Sequence, residues 1–98
     1  MTRNEIVAIL ARCASFDART VGPTDVTAWQ LVLSDLTHAE CDAAVIDYYK
    51  AYRDRIMPSD IRQRVLRERQ QWLNAHPDFG PGRPELVPPW EQRKELES

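Results

Sequence analysis

Apolar residues recur along much of this chain at helical spacing, with no alternation of the kind a strand requires. Ile6, Ile9, Leu10 and Cys13 form a first stripe. Thr2 with Glu5 ahead of it reads as a capping box, which predicts a helix running to about Ala14. After a polar connection over 15–22, Gly22-Pro23-Thr24-Asp25 signals a new start, with Thr24 as the expected cap. Val26, Trp29, Leu33 and Leu36 then stand at i, i+3, i+7 and i+10 on one face. Thr37 with Glu40 is a second capping box, so only a tight corner separates the second and third helices. Along the third helix Cys41, Ala44, Val45, Tyr48 and Tyr52 share a face, and small Ala43 and Ala44 permit close approach of a neighbour. Met57-Pro58-Ser59-Asp60 opens the fourth, with Ser59 as cap and Asp60 complementing the helix dipole. Its apolar side is Ile61, Val65, Trp72 and Leu73, and it ends near Asn74. The expected fold is all-α, a small bundle-like body of four helices.

Proline redraws the picture after residue 76. Five of the seven prolines (Pro77, Pro81, Pro84, Pro88, Pro89) fall there, where each removes a backbone donor and fixes φ. Residues 1–76 are therefore expected to form the folded domain and 77–98 a flexible proline-rich tail, with a short helix over 90–97. At 98 residues there is room for one modest core. The net charge of −2 argues against a surface committed as a whole to nucleic acid, while leaving room for a local basic stripe. The sequence has no long apolar run and no secretory leader, and Cys13 and Cys41 are too few for a disulfide scaffold. These features point to a cytoplasmic protein without a membrane partner.

Catalytic chemistry finds few candidates. Three glycines do not build a phosphate loop. Cys13, His38, Cys41 and His76 are the only soft metal ligands, and they lack the paired spacing of a zinc site. A cysteine–histidine nucleophile pair has no evident orienting group or oxyanion donor. The expectation is a protein with no catalytic residues, no metal and no cofactor.

Two features carry more information. Between Lys50 and Arg69 lie seven basic residues against Asp54, Asp60 and Glu68. Arg62, Arg64, Arg67 and Arg69 are candidate nucleic-acid contacts on the fourth helix, although they spread around it, as a solvated helix face also does. The tail, for its part, keeps Phe79, Leu86, Val87, Trp90 and Leu96. Such a segment either docks on a partner, ordering on contact, or folds back on its own body.

The capped first helix, Trp29 with Leu33-Ser34-Asp35-Leu36, the run Ala43-Ala44-Val45 with Tyr48-Tyr49, and Pro58-Ser59-Asp60-Ile61-Arg62 are together similar to the phage replicative-helicase loader/inhibitor family. The likeness spans about residues 2–70 and rests on packing positions. It implies a helical domain whose mobile C-terminal segment engages a hexameric replicative helicase, holds it inactive and helps deliver it to an origin. An origin-binding protein is then a second partner, and the setting is the host cytoplasm. By that likeness Trp29, Leu33, Leu36, Ala44, Tyr48, Pro58 and Ile61 are scaffold. The tail departs from the family's pattern, and its apolar content makes Leu86, Val87, Trp90 and Leu96 the expected helicase anchors. The rival reading is a helix-turn-helix regulator that uses the arginine-rich fourth helix on duplex DNA, with DNA contact otherwise secondary.

Overall fold

The structure is a computed structural model that describes residues 1–80 and 87–91. Four helices follow in order: α1 (Arg3–Asp17), α2 (Pro23–Leu33), α3 (His38–Ala51) and α4 (Pro58–Ala75). Among the described residues there is no strand, and the protein is all-α. The chain forms two compact units, Met1–Val65 and the part from Leu66 onward.

In the first unit α1 packs against both α2 and α3. The core is Ile6, Ile9, Leu10 and Cys13 of α1, Val26, Trp29 and Leu33 of α2, and Cys41, Ala44 and Val45 of α3. Leu36, Ile56, Ile61 and Val65 complete it. The stripes expected from spacing are thus the faces that pack. Tyr52, expected on the α3 face, is instead exposed, because it follows the last helical turn in an extended conformation. Ala43 also faces outward, whereas Ala44 is buried.

Both capping boxes form. The Thr2 hydroxyl accepts from the Glu5 amide at 3.2 Å while Glu5 accepts from the Thr2 amide at 2.9 Å. Thr37 and Glu40 repeat the arrangement at 3.3 and 3.1 Å. Two helix starts differ from expectation. α2 is capped at Gly22, whose amide donates to the Asp25 carboxylate at 2.9 Å, so Pro23 and Thr24 lie inside the helix. α4 begins at Pro58, and the Met57 amide donates to Asp60 at 2.9 Å; Ser59 is already helical. In each case proline occupies an early position where its missing donor costs nothing, and a carboxylate three residues beyond the cap reaches back. α1 runs past Ala14 to Asp17, since Phe16 and Asp17 both find partners on α3, and ends at Ala18 in the left-handed region (φ 59°).

In the second unit α4 continues to Ala75, one residue beyond the expected end. The His76 amide donates to the Leu73 carbonyl at 3.2 Å. Within the described part of the expected tail, Pro88 is fully buried and one helical turn occupies 89–91.

Candidate functional site

The arginines of α4 do not stand as a free row. Arg62 forks onto Asp35, with Nη1–Oδ1 at 2.6 Å and Nη2–Oδ2 at 2.8 Å, and donates to the Val32 carbonyl at 3.0 Å. The carboxylate at this two-pronged contact raises the pKa of the guanidinium and ties α4 to the end of α2. Arg64 pairs with Asp47 and lies over the rings of Tyr48 at 5.4 Å and Tyr52 at 5.8 Å. Arg69 lies 5.0 Å over the Trp90 ring. Arg67 is exposed. Two of the four proposed phosphate contacts are therefore already committed to carboxylates, and releasing either would cost the pairing before any phosphate was gained.

Of the four expected anchors, Leu86 and Leu96 lie outside the described residues. Val87 is half-buried. Trp90 is also half-buried, its ring set across that of Trp72 at 5.5 Å and 77°. Phe79 meets the same ring at 5.5 Å and 81°, and His76 stacks on it at 4.0 Å and 15°. His76 Nδ1 stands 2.8 Å from the Trp72 carbonyl, an acceptor, so that nitrogen carries the proton. Trp72 thus collects three rings, one of them from the segment 87–91. Trp90 packs on Trp72 and Arg69 of its own unit.

A polar cluster in the first unit gave no sequence signal. The Asp17 carboxylate accepts from Arg19 Nε at 2.9 Å and Nη2 at 2.6 Å, and also from the Tyr49 hydroxyl. Tyr49 in turn accepts from the Ile56 amide at 3.0 Å, and Arg19 Nη2 donates to the Ile56 carbonyl at 2.8 Å. Arg19 also lies 5.2 Å over Trp29. Hydrogen bonds from Arg19 are the main cause that holds the Asp17 carboxyl down to about 2. Burial and the bond to Asp17 push the Tyr49 hydroxyl up. Each partner is satisfied by another, and the two connections that carry Arg19 and Ile56 are fastened together. The arrangement is a clamp between loops, with no group poised toward a substrate.

Cys13 and Cys41 are fully buried and form no disulfide, and burial pushes Cys13 up to about 11, which keeps it protonated and a poor nucleophile. Among the described residues no group of three or more histidine, cysteine or acidic side chains is placed to hold a metal. No described helix is long and apolar enough to cross a membrane. No protein-family model, curated protein or solved structure matches the chain.

Proposed function

We propose that this protein is a non-catalytic adaptor that binds a hexameric replicative helicase and acts as its loader or inhibitor. The observation that carries the reading is the packing of the body. Trp29, Leu33, Leu36, Ala44 and Ile61, the positions through which the chain resembles the loader/inhibitor family, all lie in the core of one helical unit. Pro58 sits at the first position of α4, in keeping with the start that likeness calls for. The pairing of Arg62 with Asp35 and of Arg64 with Asp47 further favours a protein partner over the helix-turn-helix reading on duplex DNA.

In this proposal the C-terminal segment makes the contact, with Leu86, Val87, Trp90 and Leu96 as anchors and an origin-binding protein as the receiving partner. Three or four apolar anchors supply about 4–8 kcal/mol before the cost of ordering. The test is size-exclusion chromatography of the full chain mixed with the purified replicative helicase of the host. Co-elution is expected, and Val87→Asp with Trp90→Asp should abolish it while far-ultraviolet circular dichroism stays helical. Separate elution at micromolar concentrations would overturn the helicase reading. Co-elution that survives the double substitution would move the contact off this segment.

A further inference from the structure

Four aromatic rings of the first unit stand in a row. Phe16 of α1 stacks on Tyr49 of α3 at 4.9 Å and 28°. Tyr49 meets Tyr48 edge-on at 5.1 Å, and Tyr48 meets Tyr52 at 5.2 Å and 32°. The outer two members are the more open, Phe16 at 50% exposure and Tyr52 at 55%, with Arg64 lying over one side of the Tyr52 ring. The inner two are half-buried, so the row is anchored from below and offers ring surface at both ends.

Charge beside the row decides what suits it. Lys50, Arg53 and Arg55 follow directly on the tyrosines and are all exposed. None of the three is in an ion pair among the described residues. The acidic neighbours are Asp17, which is paired with Arg19, and Asp47, Asp54 and Asp60. Asp47 is paired with Arg64, whereas Asp60 accepts from the Met57 amide and keeps its charge. Asp54 and Asp60 are left to oppose three cations, a local excess of one positive charge. Exposed aromatic faces interleaved with unpaired cations match a ligand that alternates flat rings with negative charges. Duplex DNA hides its base faces inside the stack; a single strand presents them.

We infer that the Phe16–Tyr49–Tyr48–Tyr52 row, with Lys50, Arg53 and Arg55, is a binding site for single-stranded nucleic acid. Bases stack on Phe16 and Tyr52, and the backbone phosphates run along the three cations. The mode is sequence-tolerant, because every base has a face to stack and no base-edge donor is arranged here. The ligand class rests on rings and charge alone, independently of any helicase contact.

Fluorescence anisotropy of the full chain with labelled oligo(dT), oligo(U) and a duplex of equal length tests this without a helicase present. Binding of the single strands is expected to exceed that of the duplex, and to weaken as salt rises, since each neutralised phosphate releases a counterion. The oligo(dT) and oligo(U) arms show which sugar is preferred. Tyr52→Ala and Phe16→Ala each remove one exposed ring and should weaken binding about tenfold. Arg53→Ala with Arg55→Ala should weaken it and flatten the salt dependence, whereas Asp54→Asn should strengthen it. Absence of binding at low salt overturns the proposal. So does binding that needs the arginines and is indifferent to Tyr52 and Phe16, which would make the surface a plain cation patch. Circular dichroism on each variant separates loss of the site from loss of the fold.

Discussion

At the scale of single residues, the local chemistry is consistent almost everywhere, and Ala18 is the exception. It closes α1 at φ 59° and ψ 27°, and its amide donates to the Ala14 carbonyl at 2.8 Å. An L-residue with a Cβ pays about 1 kcal/mol to adopt the left-handed region, where glycine is at ease. Ala18 is the only non-glycine with positive φ among the described residues, and its side chain is exposed, so no packing compensates. What holds it there is its sequence neighbours: Asp17 and Arg19 must both turn inward to meet each other. Ala18→Gly should therefore stabilise the fold by up to about 0.5 kcal/mol, net of the extra freedom glycine gives the unfolded chain. Thermal unfolding would register this as a rise of a few degrees. A fall in melting temperature would mean that the left-handed turn is not the native conformation.

At the scale of elements, the helices and their stripes were legible and the clamp between their connections was not. Ile6 to Cys13 and Val26 to Leu36 repeat at helical intervals, so periodicity alone marks which face is buried. Ile56 sits by itself between Arg55 and Met57 in a connection with no period, yet it is fully buried. Its backbone is held by Arg19 and Tyr49, partners 37 and 7 residues away in the chain. The aromatic row escaped for the same reason, because Phe16 reads as part of a polar connection and Tyr49 falls outside the expected α3 stripe. The clamp makes a pH prediction. Asp17 has a folded pKa of about 2, below its ordinary value near 3.9, so its stabilising contribution is complete above about pH 4. It is lost as pH falls through about 2, when the folded carboxylate takes up its proton. In Asp17→Asn that contribution is missing at every pH, and Arg19 keeps a partly buried charge without its partner. The stability gap between wild type and variant, from urea unfolding, should therefore shrink by roughly 1–2 kcal/mol between pH 4 and pH 2. Glu5, also lowered through its cap with Thr2, is present in both proteins and cancels. A gap independent of pH would show that Asp17 is not ionically held.

At the scale of the whole molecule, the two tryptophans at Trp29 and Trp90 have contrasting stakes. Trp29 is 5% exposed in the core of the first unit, stacked beneath Arg19. Removing it leaves a cavity worth about 3–5 kcal/mol, a large part of what so small a domain has to spare. Trp29→Ala should accordingly lose most of its cooperative thermal transition. Trp90 touches Trp72 and Arg69 of its own unit and remains half-buried. An edge-to-face ring pair and a cation over a ring contribute together about 1–2 kcal/mol, and they fasten only the segment at 87–91 to the end of α4. Trp90→Ala should thus speed amide exchange in that segment and around Trp72 to His76, with α1 and α3 protected as before. The contrast also bears on the adaptor proposal. A partner that captures Trp90 has to replace a contact of that modest size, which an interface with several apolar anchors supplies, whereas capture of Trp29 would require unfolding the core. If Trp90→Ala deprotected α1 and α3 to the extent that Trp29→Ala does, Trp90 would belong to the framework, and a different surface would have to meet the helicase.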